Sequence, residues 1–313
     1  MHAIAARPHG GIAARGGYSA DLAVPHTDTV LAYRHAFHAG SHADVLKHLV
    51  LTQVLRYMAD KDKPFTLIDT HAGAGGYSLE GRYARKRAEF EHGIARLWGR
   101  DDLPAALADY VALVKRFNDG GKLRQYPGSP GFAQMLLRPD DRLRLYELHP
   151  TDHRILAAYL GRQPNTQVAQ ADGFAALKGD LPPPSRRGVV LIDPSYEIKT
   201  DYGRVVATVR EALTRFADAV MIVWYPQLLT LESAQLAQRL QPLAEAHGKR
   251  GWLHARLTVQ QADAQGFGMI GSGLFVANPP FPLHESLRQT LPFLVDVLGE
   301  YAGANFLLEQ RAA

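Results

Sequence analysis

Cysteine is absent from the 313 residues. That excludes disulfide frameworks, Cys-ligated zinc and a thiol nucleophile. Also missing is any stretch near the ~20 apolar residues of a membrane helix, so no membrane partner is expected. The N-terminus has no central apolar run, so a secretory signal is not expected. Residues Met1–Thr29 are rich in Ala, Gly and Arg without apolar periodicity. They read as a disordered leader or a misassigned start, with one domain over 30–313. Neither sign of charge dominates: 35 Lys and Arg against 31 Asp and Glu leave +4. So small an excess admits a nucleic-acid partner without demanding one. A hydrophobic share of 46% and a charged share of 21% suit a globular protein.

What is present is an alternation of short apolar runs and helical patterns. Asp44–Tyr57 carries Val45, Leu46, Leu49, Val50 and Leu55 at helical spacing. Phe65–Ile68 reads as a buried strand, followed by the Gly-rich turn Asp69–Gly75. From Ser78 to Arg124 no strand is evident. Arg87–Trp98 and Leu103–Asn118 are amphipathic, so a helical insertion is expected at about 78–126. Tyr126–Pro130 reads as a turn and Phe132–Leu137 as a helix. Strands are then expected at Leu143–Leu148, Thr166–Ala169, Gly188–Ile192 and Ala219–Trp224. Helices are expected at Asp152–Leu160, Tyr202–Phe216 and Thr230–Leu240, and Trp252–Val259 with Gly273–Val276 reads as a closing antiparallel pair. This order implies an α/β, doubly wound, mostly parallel sheet. Such sheets bind ligands at the carboxyl ends of their strands.

Acidic residues stand at those ends. Glycines after Asp69 let the backbone approach a ligand closely. The dinucleotide fingerprint G-x-G-x-x-G is not matched, because Gly76 directly follows Gly73-Ala74-Gly75. Glu147 is placed to accept hydrogen bonds from two ribose hydroxyls, and Asp172-Gly173 to receive an adenine amino group. Singly, each reads equally as a turn or a surface acid. In this order they outline a site for S-adenosylmethionine.

Asp193-Pro194-Ser195-Tyr196 ends the apolar run Val189–Ile192. An adenine amino nitrogen is a poor nucleophile because its lone pair is delocalised into the ring. Two acceptors against its two hydrogens draw it toward tetrahedral geometry. Asp193 supplies one and the Pro194 carbonyl the other, held by the fixed φ of Pro. Tyr196 is expected to stack on the base, which must first leave its own stack. A plain β-turn is the alternative. Asn278-Pro279-Pro280-Phe281 is a rival motif, but it follows the last expected strand rather than the fourth.

Tyr33–Asp44 is rich in histidine. His38 and His42, four apart, have the spacing of metal ligands. Without an H-E-x-x-H pattern, phosphate and base contacts are the favoured reading and no metal is expected. A capped helix start is the plain alternative.

The segments Tyr33–Gly40, His42–His48, Asp69–Gly75, Tyr126–Pro130, Glu147–Pro150, Ala171–Phe174 and Leu191–Pro194 together resemble the J-type 23S ribosomal RNA adenine-N6-methyltransferases of bacteria. The resemblance spans about Leu31 to Pro282. It implies a Rossmann-like class I S-adenosylmethionine-dependent methyltransferase with a small helical insertion subdomain. It further implies N6-methylation of one adenine in 23S rRNA, before subunit assembly is complete, by a cytoplasmic monomer. The matching donor positions are His48, His71, Ser129, Glu147, Asp172, Gly173 and Asp193. Asp193 is also the implied catalytic acceptor, with Pro194 and Tyr196 beside it. Tyr33, His35 and Lys47 would contact or shape the RNA site. The family has Pro where this chain has Ser195, so a less rigid but active loop is expected. Family members begin near Leu31, so Val30, read from a GTG codon, stands beside Met1 as a candidate first residue. Two other functions fit the same fold: DNA adenine-N6-methylation, and RNA binding by a site that Ser195 has impaired.

Overall fold

A computed structural model describes residues 35–81, 84, 86 and 88–312. The leader Met1–Thr29 and Tyr33 lie outside the described residues. The apolar runs of the middle of the chain become strands: β1 (Thr66–Asp69), β4 (Arg142–Tyr146), β5 (Thr166–Ala169), β6 (Gly188–Ile192), β7 (Val220–Gln227), β8 (Trp252–Thr258), β9 (Gly271–Ala277) and β10 (Asn305–Arg311). They form one sheet in the order β10-β8-β9-β7-β6-β1-β4-β5. A separate pair joins β2 (Gly76–Ser78) to β3 (Gln125–Pro127). Strands β5, β4, β1, β6 and β7 run parallel, whereas β9 is antiparallel to both β7 and β8, and β10 to β8. Every residue of β6 is buried, as a central parallel strand with both faces covered requires.

This order makes the site. The chain runs outward from β1 to β4 and β5, then returns to place β6 on the other side of β1. The loops leaving β1 and β6 therefore diverge, and a crevice opens at their carboxyl ends.

Helices join the strands: α1 (His42–Ala59), α2 (Ala105–Phe117), α3 (Ser129–Leu136), α4 (Pro150–Leu160), α5 (Gly173–Asp180), α6 (Thr200–Arg215), α7 (Leu231–His247) and α8 (Leu283–Leu298). Helix α1 is buried almost all round, by apolar side chains such as Val45, Leu46, Leu49 and Leu55 and also by the polar His42, Asp44, Lys47, His48 and Thr52. It packs on α3, α2 and α8 and against β7 and β9. Asp44, Lys47 and His48 are spaced i, i+3 and i+4, so they share one face of this buried helix.

Three local readings change. The turn expected at Tyr126–Pro130 is a short strand, Gln125–Pro127, paired with Gly76–Ser78. Helix α3 begins at Ser129, not Phe132, because Pro130 in its first turn suits a helix start. The helix expected at Arg87–Trp98 is, where described, a 3-10 turn at Glu89–His92 and one helical turn at Ala95–Trp98. Gly93 separates them: a Cβ there would lie 2.1 Å from the Gly40 carbonyl oxygen, so the chain breaks to pack against Gly40–Ser41. The closing pair is β8 with β9, as expected. Helix α8 and strand β10 had no counterpart in the sequence reading.

Candidate active site

Asp193 is the first residue beyond β6. Its Oδ2 accepts from Lys47 Nζ at 2.6 Å. Lys47 Nζ also lies 2.9 Å from Asp44 Oδ1, and Asp44 Oδ2 meets His35 Nε2 at 2.9 Å. The Lys47 side chain is only 4% exposed and that of Asp193 14%. A buried ammonium persists only when paired. Burial opposes the charge on Lys47, but Asp193 and Asp44 outweigh it and hold its pKa above the usual value. Asp44 ionises well below the carboxylate range: burial opposes this, and His35, Lys47 and His48 prevail. Asp193 behaves differently, its pKa being raised because burial, helped by Asp44, exceeds the pull of Lys47 and His35. The ion pair thus shifts its partners unequally, with a firmly charged cation facing a carboxylate of increased basicity. Oδ2 is engaged by Lys47, and among the described residues Oδ1 has no hydrogen-bond partner.

This network lines a cavity of about 440 Å³. Asp193, Ser195, Lys47, Trp224 and Pro226 contribute to its wall, and so do Gly268 and Met269 from the loop after β8. The Trp224 ring lies 5.7 Å from Lys47 Nζ, and its indole N–H is buried without a partner among the described residues. Glu89, His92 and Glu300 line the same cavity. The second carboxylate on Lys47, Asp44, was missed, although its place three residues before Lys47 is a spacing that signals a helix-face ion pair. Trp224 was visible as an aromatic within an apolar strand. Glu89 and His92 share one 3-10 turn, but Glu300 stands over two hundred residues further on, so no spacing joins it to them.

The donor-side residues gather around the crevice. Asp69, the last residue of β1, is buried and accepts from Ser129 Oγ at 2.6 Å and from His71 N at 3.2 Å. Burial pushes its pKa up to about 6, against these hydrogen bonds. Glu147, just past β4, accepts from Gly73 N at 2.8 Å and His149 N at 2.7 Å. Burial raises its pKa as well. Asp172 caps α5 by accepting from Phe174 N at 3.0 Å, and it also pairs with Arg204. Gly173 allows this: a Cβ there would sit 2.1 Å from the Thr70 carbonyl oxygen. Gly73 has φ +60, and a Cβ would lie 2.2 Å from the Tyr77 hydroxyl. His71 packs edge-on against Phe174 at 4.8 Å, with its pKa pushed down to about 3 by burial. His48 is deeply buried: its Nδ1 lies 2.7 Å from the Tyr126 hydroxyl, and Nε2 has no hydrogen-bond partner among the described residues. These carboxylates, glycines and the open imidazole nitrogen are chemically suited to a donor bearing ribose hydroxyls and a cationic amino-acid end.

The loop after Asp193 departs in one respect from the sequence reading. Tyr196 does not present its ring to the cavity. Its hydroxyl donates to the Trp224 carbonyl at 2.7 Å, and its ring packs on Tyr202 at 4.6 Å. Its φ is +55, uncommon for a bulky side chain. Such strain persists only where the surroundings enforce it, and here the inward ring turns the chain sharply, leaving Asp193 and Ser195 on the cavity wall. In this structure the Tyr196 ring anchors the loop and does not line the cavity.

His38 and His42 do not converge. His38 Nδ1 meets Glu89 at 2.9 Å, while His42 Nδ1 is buried without a hydrogen-bond partner among the described residues. Among the described residues, no group of three or more His, Asp or Glu is placed to hold a metal ion. The rival Asn278 is a structural residue. It accepts from Lys249 N and Arg250 N at 2.7 and 2.8 Å, and donates to Ala217 and Ala219 carbonyls at 2.8 and 2.7 Å. It follows Ala277, which pairs with Met221 near the start of β7 and so lies at the opposite end of the sheet from Asp193.

Comparison with known proteins adds the following. Residues 62–308 match the family model described as ribosomal RNA large subunit methyltransferase D, RlmJ. The chain is 47% identical over 265 residues to the ribosomal RNA large subunit methyltransferase J of Escherichia coli K12, covering 85% of this chain and 93% of that protein. Against the protein of the same name from Haemophilus influenzae it is 44% identical over 270 residues, covering 86% and 94%. Among solved structures, protein LPL1258 of Legionella pneumophila superimposes with a TM-score of 0.78 at 33% identity, covering 87% of this chain and 98% of that one.

Proposed function

The chain belongs to the ribosomal RNA large subunit methyltransferase J family, and from that premise we propose that it transfers a methyl group from S-adenosylmethionine to N6 of one adenine in 23S rRNA. The observation that carries this reading is the Lys47–Asp193 pair on the wall of a cavity beside the strand-end carboxylates. S-adenosylmethionine supplies an electrophilic methyl carbon on sulfur and leaves as the neutral thioether, keeping the electrons of the broken S–C bond.

The residues of this chain do the rest. Glu147 keeps lone pairs beyond those bonded to Gly73 and His149 and takes the ribose hydroxyls. Asp172 with Gly173 borders the donor adenine, and Asp69 with Ser129 faces the cationic end. His48 and His71 complete the donor wall. Asp193 Oδ1 and the Pro194 carbonyl accept the two amino hydrogens of the target adenine. The N6 lone pair then forms the new N–C bond, and one N6 proton leaves toward Asp193, whose raised pKa favours receiving it. Lys47 holds Oδ2, which fixes the carboxylate and keeps it ionised beforehand. His35 orients Asp44 and through it Lys47. Tyr33 belongs to the same RNA-facing set by its place in the sequence. Most of the rate gain comes from holding donor and acceptor in line.

The helical segment between β2 and β3 forms a small insertion subdomain that frames the RNA side. The protein works as a cytoplasmic monomer on rRNA before the subunit is complete. Among the described residues no helix is long and apolar enough to cross a membrane. Incubating the protein with methyl-labelled donor and either protein-free 23S rRNA or duplex DNA tests the reading. Label at N6 of adenine in the RNA alone is expected, and label in DNA alone would refute it.

A further inference from the structure

One exposed aromatic beside the cavity is not used by the chemistry above. Phe267 is 67% exposed. It stands between two glycines with left-handed backbone, Gly266 at φ +83 and Gly268 at φ +100. The turn that carries it is tied down. Asp263 Oδ1 accepts from Gln265 N at 2.9 Å and from Phe267 N at 2.8 Å, while Asp263 N donates to the Phe267 carbonyl and Gly266 N to that of Asp263, both at 2.9 Å. A hydrophobic ring is thus held outward by a hydrogen-bonded turn. Its next two neighbours, Gly268 and Met269, line the cavity that Asp193 shares. Leu229 lies next to the same turn, 3.8 Å from a Cβ position on Gly266, and is itself 63% exposed. Ile198 is exposed three residues beyond Ser195, another residue of the cavity wall.

A base that enters this cavity leaves a gap in the stack it came from, and refilling that gap lowers the cost of keeping it out. Apolar side chains placed between bases do this in other nucleic-acid complexes. We propose that Phe267 is such a wedge: it stacks in the place vacated by the target adenine, with Leu229 and Ile198 as the apolar rim on which the neighbouring bases rest. Phe281 gives the contrast. It is 90% exposed, but it follows the β9 end that pairs with the start of β7, away from the cavity.

The proposal rests on the rRNA-methylation reading, and its test separates the two. The methylated adenine is first mapped with the unsubstituted protein. Phe267→Ala, Phe267→Trp and Phe281→Ala are then compared on folded, protein-free 23S rRNA and on a short fragment in which the mapped adenine is unpaired. With Phe267→Ala, kcat/KM on folded rRNA is expected to fall about tenfold or more, as the loss of one base–aromatic stack implies. On the unpaired fragment it should hold. Phe267→Trp should restore activity, and Phe281→Ala should change neither substrate. With 2-aminopurine at the mapped position, the unsubstituted protein should raise its fluorescence and Phe267→Ala should not. Equal activity of Phe267→Ala on folded rRNA, or an equal loss on both RNAs, would overturn the wedge. A loss seen only when ribosomal proteins are bound would assign the rim to a protein partner and also overturn it. If the unsubstituted protein methylates neither RNA, the reading beneath the proposal falls with it.

Discussion

Replacing Lys47 by Met keeps the reach and the apolar stem of the side chain and removes only the ammonium. Two carboxylates then face each other across the vacated place, since Lys47 Nζ stands 2.6 Å from Asp193 and 2.9 Å from Asp44. At ~4 Å and an effective dielectric of ~20, one unit pair is worth about 4 kcal/mol. Taking one partner from a buried pair costs about 3–5 kcal/mol in measured cases. Part of this falls on stability and part on Asp193, whose carboxyl is already drawn toward its protonated form by burial. A protonated Asp193 no longer offers the same acceptor to an amino group. Half of the ~4 kcal/mol, placed on that equilibrium, is roughly a thirtyfold change in ionisation. The sign is fixed: a raised carboxylate pKa means activity is lost as pH falls through it, and removing Lys47 moves that loss to higher pH. Turnover of Lys47→Met, measured from about pH 6 to 9, should be low at neutrality and recover toward the alkaline end. Turnover equal to that of the unsubstituted protein at pH 7 would refute the reasoning. So would a loss of the same size at every pH.

Glu147→Gln should raise the KM for the donor about tenfold or more, as loss of a charged hydrogen-bond acceptor implies, with kcat little changed; initial-rate kinetics at saturating RNA decide this. Asp69 titrates near pH 6 in the fold, above its usual value of 3.8, so its charge, and with it donor affinity by calorimetry, should be lost as pH falls through about 6. The same shift means that Asp69 makes folding less favourable as pH rises through that range, because the folded chain binds its proton more tightly than the unfolded one. Asn278→Ala removes four hydrogen bonds to backbone groups. At ~1 kcal/mol each, it should lower stability by about 4 kcal/mol in denaturant unfolding while leaving the turnover of folded protein unchanged.

The parts of this molecule that the sequence displays are those where one local pattern decides. Strands such as Gly188–Ile192 are continuous apolar runs ended by an acid, so both the strand and the functional residue beyond it could be read together. Glu147 and Asp172 were picked out only by their place at the ends of the expected strands Leu143–Leu148 and Thr166–Ala169, neither of which is a continuous apolar run. Position in the strand order also separated Asp193 from Asn278, which the structure uses to tie the Ala217–Ala219 and Lys249–Arg250 segments together. Strand β10 was invisible because it is an edge: its residues are largely exposed, and apolar and polar positions do not alternate cleanly along Asn305–Arg311. The 3-10 break before Ile94 depends on contact between Gly93 and Gly40, over fifty residues apart, which no helical period encodes. Lys47 was read as contacting or shaping the RNA site from the cluster of Tyr, Arg, His and Lys around it and from the family resemblance. Only the packing of α1 on all sides turns it inward to Asp193 and Asp44. Tyr196 was read as a stacking ring because the motif puts an aromatic there; its left-handed backbone, set by the Trp224 carbonyl and Tyr202, turns it into the core.

The most direct test of the account is methyl transfer to protein-free 23S rRNA by the unsubstituted protein and by Asp193→Ala, followed by digestion and mass spectrometry of the nucleosides. The account predicts N6-methyladenosine from the first and a loss of about a hundredfold or more from the second, the scale of a removed general acid–base or positioning group. Undiminished N6-methyladenosine from Asp193→Ala would contradict it.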